Sequence, residues 1–211
     1  MYKSLDLYEL FPTTIYMFKI EDDSVTDDIL SYLNEYSFSK ENKTWEEEVM
    51  QTDNNLHLLE ETKNLISFFD HSLSSIKNIN NLQTEQIKIT LCWANKSTRN
   101  SKHQNHYHPN SLYSGIFYAT SGGAKTIFYD PVNYRNEAMI KVFGNNVEPK
   151  ANTVEIVPEK GTLVIFPSWF RHSTEHHDSD DNRWSISFNT LPYGKTNSQP
   201  NVSLASMDLS F

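Results

Sequence analysis

The segment "HYHPNSLYSGIFYA", residues 106–119, decides how this chain reads. Its second half, from Ser114 to Ala119, is an apolar and aromatic run of the kind that forms a β-strand. Its first half places two imidazoles one residue apart. Successive side chains of extended backbone point to opposite faces, so His106 and His108 share a face and Tyr107 takes the other. Two imidazoles converging on one point form part of a metal chelate. A chain with 8 histidines also produces such pairs by accident, so the reading turns on what else arrives at the same place.

Downstream, "GTLVIFPSWFRHSTEH" (161–176) reads as an apolar strand, a Pro-Ser turn and a second strand opening with Phe170, Arg171 and His172. Such a hairpin returns His172 to the level of the histidine pair. The run "NRWSISFN" (182–189) then splits by parity: Trp184, Ile186 and Phe188 are apolar, while Arg183, Ser185, Ser187 and Asn189 are polar. The apolar set can pack under helices. The polar set would face water in an ordinary half-solvated sheet. With His106, His108 and His172 directed inward, an inward arginine is the more economical reading. Its planar fork matches a carboxylate bidentately, and an adjacent serine hydroxyl adds a third hydrogen bond.

Around this segment the pattern is mainly β. "QIKITLCWAN", "SGIFYAT", "KTIFYD", "TVEIV", "GTLVIF", "FRHSTEH" and "RWSISFNTL" are short runs separated by Gly, Pro, Asn, Asp and Ser. Gly123 in "SGG" and Gly161 in "PEKG" are available for turns of positive φ. Two helices precede the strands, after an extended "PTTIYMFKI". The first is capped by Ser24 or Thr26 and carries Val25, Ile29, Leu33 and Tyr36. The second runs through "NNLHLLEETKNLISFFDHSLSSI" with a stripe of Leu56, Leu59, Leu65 or Ile66, Phe69, Leu73 and Ile76. The expectation is one domain over residues 1–211: helical support over 24–80, a β-core over 86–192 and a polar, surface-lying arm over 193–211. Two helices backing an antiparallel barrel or a double-sheet jelly roll fit this order.

Composition narrows the function classes. Aromatic residues are 13% and charged residues 21%, a globular balance, and the net charge of −9 argues against a nucleic-acid partner. A single cysteine, Cys92, excludes an internal disulfide and fits a reducing compartment. In "ITLCWAN" it reads as a small buried hydrophobe. No segment has the roughly 18 apolar residues of a membrane span, and "MYKSLDLYELF" lacks the apolar stretch of a leader, so the expected location is cytoplasmic.

Taken in order, "ELFPTTIY", "WAN", "HYHPNSLYSGIFYA", "FYDP", "GTLVIFPSWFRH" and "RWSISFN" resemble the iron(II)- and 2-oxoglutarate-dependent oxygenases, in particular a short stand-alone group with an HxHPxSxxSG element. The resemblance covers most of the chain. It implies a double-stranded β-helix, iron(II) held by His106, His108 and His172, and the C5 carboxylate of 2-oxoglutarate on Arg183 and Ser185. It also implies use of O2 to hydroxylate an unidentified small molecule or side chain, with release of succinate and CO2. Tyr118 and Asn95 are further candidates for contact with 2-oxoglutarate. The chain departs from the wider superfamily at His108, where that superfamily has Asp or Glu. Three neutral imidazoles also suit zinc or copper. Asp130 in "FYDP" is an alternative carboxylate, although an Asp-Pro pair at a strand end also forms turns.

The other histidines read differently. His57 and His71 fit exposed or capping roles, and His103, His176 and His177 lie in polar, solvated loops, with a place at the cavity mouth open to them. Trp93 and Trp169 fit core or pocket wall. Two rival functions remain at this level. One is a cupin-like three-histidine metalloenzyme, against which no glutamate follows the HxH closely. The other is a non-catalytic β-sandwich binding or virion-associated module with incidental histidines, which needs no arginine on the face of His172. Nothing in the sequence settles the oligomeric state.

Overall fold

The computed structural model describes residues 12–38, 49–131, 153–196 and 208–209, the last pair by backbone alone. The "MYKSLDLYELF" segment and residues 197–207 and 210–211 of the expected arm lie outside these described residues.

The first helix, α1 (Asp23–Glu35), has its cap two residues before the nearer of the expected caps, Ser24 and Thr26. Asp22 is the cap: its backbone is extended and its carboxylate accepts the Ser24 N–H at 2.9 Å. Thr26 is already inside the helix and buried with Ile29 and Leu33. The second helix, α2 (Lys63–Ile79), is shorter than its apolar stripe. Leu56–Leu58 and Glu60–Thr62 form 3-10 turns around an extended Leu59. The Thr62 hydroxyl donates to the Leu59 carbonyl at 3.0 Å and also to that of Leu56. A side chain thus takes carbonyls that a continuous helix would have used.

The strands are β1 (Tyr16–Lys19), β2 (Val49–Gln51), β3 (Thr84–Ser97), β4 (Tyr113–Tyr118), β5 (Thr126–Tyr129), β6 (Thr153–Ile156), β7 (Thr162–Pro167), β8 (His172–Thr174), β9 (Arg183–Thr196) and β10 (Asp208–Leu209). The larger sheet has the order β1-β7-β4-β9-β3-β2, with β10 on β9, and the smaller one has the order β6-β5-β8. The seven runs read from sequence each form a strand. The first residues of the expected arm are strand, because β9 continues through Tyr193 and Thr196 opposite Gln86 and Thr84 of β3. Asp208 and Leu209 then pair back on Lys195 and Gly194.

Parity decides what each face of β9 does. Trp184, Ile186 and Phe188 pack in one core with Ile29 and Leu33 of α1 and Leu65, Phe69, Leu73 and Ile76 of α2. The Phe69 and Phe188 rings are 4.9 Å apart. Burying each such side chain contributes about 1.5–3 kcal/mol. Gly115 of β4 sits opposite Phe188, and a methyl group there would lie 2.2 Å from its ring. Only hydrogen fits at residue 115 while Phe188 stays in place. Cys92 belongs to this core, and burial pushes its thiol pKa up. A second apolar cluster joins the sheets, with Phe128 from β5 against Val164 and Phe166 from β7. Among the described residues no helix is long and apolar enough to cross a membrane.

Candidate metal centre

Two backbone hydrogen bonds set the first pair of histidines. The His106 N–H donates to the His172 carbonyl at 2.9 Å, and the His172 N–H returns the bond to His106 at 2.9 Å. Residues opposite each other in an antiparallel bridge present their side chains on the same face, and the two rings lie 4.3 Å apart. His108 is pinned by its N–H to the Ser168 carbonyl at 2.8 Å, with its ring 5.1 Å from His106 and 5.2 Å from His172. Tyr107, between them, lines the same cavity, and the Arg171 guanidinium lies 5.1 Å over its ring. The histidine pair does not open β4 directly. A turn at Pro109 and Asn110, with Asn110 at φ 56°, separates the two.

One ring nitrogen from each of His106, His108 and His172 lies within 4.8 Å of the others, a group that could hold a metal ion. His106 Nδ1 is 2.7 Å from the Gln104 carbonyl and His172 Nδ1 is 3.0 Å from that of Phe170. A carbonyl only accepts, so these contacts call for the proton on Nδ1, and Nε2 is then the nitrogen whose lone pair suits a metal. Asp130, just past β5, is not part of the group.

Burial, followed by the neighbouring His106 and His103, pulls the His108 pKa down to about 4. His172 is held well below the ordinary histidine value, again by burial first and then by His106, with the Phe170 carbonyl opposing. Both rings are therefore neutral, the form that binds metal. Because the folded values are depressed, the unfolded chain takes up protons that the folded chain refuses once the pH drops below about 6.5. Stability is full above that point and is lost as the pH falls toward 4. The melting temperature of the metal-free protein is expected to drop by about 5 °C between pH 7 and pH 5, and by less in His108→Asn. Calorimetry across this window checks it, and a flat profile contradicts the depressed values.

The three histidines share a cavity of about 300 Å³ with Arg183, Ser185, Ser187 and Asn95. Arg183, the first residue of β9, is 3% exposed. Its Nη1 donates to Ser185 Oγ at 3.5 Å, its Nε has no hydrogen-bond partner, and its guanidinium lies 5.6 Å from the Tyr118 ring. Burial pulls its pKa down, and Tyr118 opposes this. No carboxylate lines the cavity among the described residues. A buried cation without a counter-charge is costly, so the arrangement is built to meet an anion. Asn95 Nδ2 donates to Ser187 Oγ at 3.4 Å, and its Oδ1 is buried without a partner.

Tyr118 stands behind the wall rather than on it. It is fully buried, and its hydroxyl donates to Oγ1 of the wall residue Thr126 at 2.7 Å. Trp93 lines the cavity 6.0 Å from His108, whereas Trp169, expected in core or wall, is 55% exposed against Phe170. His103 lines the cavity too. His177, expected in solvent, is buried because its ring bonds the Asp181 carbonyl, while His176 is exposed. His57 is half-buried with no partner for Nδ1, and His71 is exposed; neither reaches the cavity. Sequence reading missed Gln51 and Thr126 on the wall. Gln51 lies on a three-residue strand, too short to show a period.

Residues 91–189 match the model of the family described as "Putative 2OG-Fe(II) oxygenase". No curated protein matches the chain in sequence. Among solved structures, the chain is similar to HygX from Streptomyces hygroscopicus with nickel and 2-oxoglutarate bound, at 10% identity and TM-score 0.64 over 94% of this chain and 93% of that one. It is also similar to SnoN, a non-heme alpha-ketoglutarate-dependent epimerase from nogalamycin biosynthesis, at 8% identity and TM-score 0.65 over 94% and 89%. A Pseudomonas putida prolyl-4-hydroxylase aligns at 13% identity and TM-score 0.55 over 86% and 94%. The matched stretch holds all three histidines and Arg183.

Proposed function

We propose that this protein is an iron(II)- and 2-oxoglutarate-dependent dioxygenase in which His106, His108 and His172 hold the metal and Arg183 with Ser185 takes the far carboxylate of 2-oxoglutarate. The observation that carries this reading is Arg183, buried without a carboxylate partner on the wall of the cavity that holds the three histidines. In the same reading the two antiparallel sheets form a double-stranded β-helix, a jelly roll, within one domain over residues 1–211. HygX, similar in fold, has been seen with nickel and 2-oxoglutarate.

When bound, iron(II) with 2-oxoglutarate and O2 supplies the oxidising chemistry, releasing succinate and CO2. The chain supplies orientation and shelter. The Gln104 and Phe170 carbonyls orient the His106 and His172 rings through Nδ1, the pairing that suits Nε2 to a metal. The Arg183 fork fixes the distal end of the cosubstrate, backed by the Tyr118 ring, and the Asn95 amide offers a polar contact beside it. Trp93 and Ile116 cover the apolar part of the wall and exclude water. The substrate is a small molecule or a side chain, and Gln51 and Tyr107 line the cavity that would receive it. The fold does not name it, since the similar structures include an epimerase and a prolyl hydroxylase. The net charge of −9 favours a partner other than nucleic acid, and the lone buried Cys92 fits the cytoplasm.

Anaerobic titration tests the function. Adding iron(II) and then 2-oxoglutarate is expected to give the weak visible charge-transfer band of the chelate at one equivalent of each. Metal binding without 2-oxoglutarate binding would favour a cupin-like enzyme. Binding of neither would favour a non-catalytic module.

A further inference from the structure

We propose that His177 is a positioning residue for Arg183, holding the loop before β9 so that the guanidinium stays free for the cosubstrate carboxylate; this rests on the 2-oxoglutarate reading above. The loop between β8 and β9 reads "EHHDSDDN", residues 175–182, with Glu175, Asp178, Asp180 and Asp181 a few residues ahead of the arginine. Acids so near in sequence are potential competitors for a buried guanidinium, although Glu175 is already taken by Lys125 at 3.6 Å. Yet Arg183 has no carboxylate partner among the described residues, so something holds the loop acids away.

The contacts of the loop supply such a restraint. The His177 backbone is tied on both sides to the segment after β3, with its N–H on the Ser101 carbonyl at 2.9 Å and its carbonyl accepting the Asn100 N–H at 2.7 Å. Its ring Nε2 donates to the Asp181 carbonyl at 2.6 Å, closing residues 177–181 on themselves. Arg99 holds the Asp180 carboxylate outward at 2.6 Å. The other ring nitrogen, Nδ1, is buried with no hydrogen-bond partner, pressed against the backbone of Gly123. A methyl group on Gly123 would lie 2.5 Å from that nitrogen and 3.5 Å from Arg183 Cδ. The His177 ring and the Arg183 stem therefore both lie against Gly123, and it is through this shared neighbour that the ring acts on the arginine. Gly123 has φ 72°, so the turn itself also needs glycine.

Neighbouring Gly122 provides the control. It has φ 75°, nearly the same backbone strain, and nothing within 4 Å of an added methyl group. In iron(II)-loaded protein without oxygen, His177→Ala is expected to weaken 2-oxoglutarate about 10- to 100-fold with iron stoichiometry unchanged. In turnover this is a raised KM for 2-oxoglutarate with kcat held. His177→Gln, whose amide can still donate to the Asp181 carbonyl, recovers most of the affinity. Gly123→Ala weakens 2-oxoglutarate as His177→Ala does, while Gly122→Ala stays near wild type. In an Arg183→Ala background, titrated into the millimolar range, His177→Ala adds no further loss. Wild-type affinity in both His177→Ala and Gly123→Ala overturns the proposal. So does an equal loss with and without Arg183, or an equal loss in the two glycine variants. Failure of the wild-type protein to bind 2-oxoglutarate instead brings down the dioxygenase reading, and the role of His177 with it.

Discussion

His108→Phe is expected to leave less than about a tenth of the wild-type iron occupancy and to lose 2-oxoglutarate turnover with it, while His108→Asp keeps both at a reduced level. The phenylalanine ring keeps much of the volume beside Trp93, and the bond from residue 108 to the Ser168 carbonyl is made by backbone, so the segment itself is preserved. What is lost is one of three lone pairs within 4.8 Å of each other. Aspartate puts an anionic oxygen in place of a neutral nitrogen and gives two imidazoles and a carboxylate, a set that suits iron(II) and leaves positions open. The shorter side chain changes the ligand distance and the surrounding hydrogen bonds, changes that typically cost about 10- to 100-fold in affinity or activity. Iron content after anaerobic reconstitution and succinate formation with and without O2 measure both outcomes. Wild-type behaviour in His108→Phe removes residue 108 from the ligand set and turns the search toward Asp130.

Arg183→Ala is expected to weaken 2-oxoglutarate by about 2–5 kcal/mol, a loss of some 30- to several-thousand-fold, without changing metal stoichiometry. The size follows from burial. At 3% exposure the guanidinium lies away from water, and a carboxylate left facing the vacated wall would be desolvated with no charge to meet it. Lysine is expected to restore only part, because an ammonium carries the charge without the two parallel N–H donors. Titration of 2-oxoglutarate into the iron(II)-loaded variants reads the loss directly. Unaltered affinity in Arg183→Ala assigns the arginine to structure.

Parity brings together most of the candidate site. His106 and His108 share a face because extended backbone alternates, and that argument needed no tertiary information. Arg183 and Ser185 were separated from Trp184 and Ile186 in the same way, and the apolar set does pack under the helices. The hairpin over residues 161–176 returns His172 toward the pair, and its direct pairing with His106 supplies the register that sequence cannot show. The readings that changed depend on single tertiary contacts. Thr62 closes two turns where periodicity implied helix, Tyr118 sends its hydroxyl to Thr126, and the ring of His177 is drawn inside by the Asp181 carbonyl. Polar residues in a polar loop carry no signal of which one turns inward.

The bridge between His106 and His172 also bears on how the chain is held together. With a single cysteine, this protein has no disulfide to restrict its unfolded ensemble. An ion gripped by both histidines would join points roughly 65 residues apart along the chain, a span over which the entropy of loop closure amounts to a few kcal/mol. The same three imidazoles would then serve as a reversible cross-link, and the folded population would rise and fall with the free metal concentration.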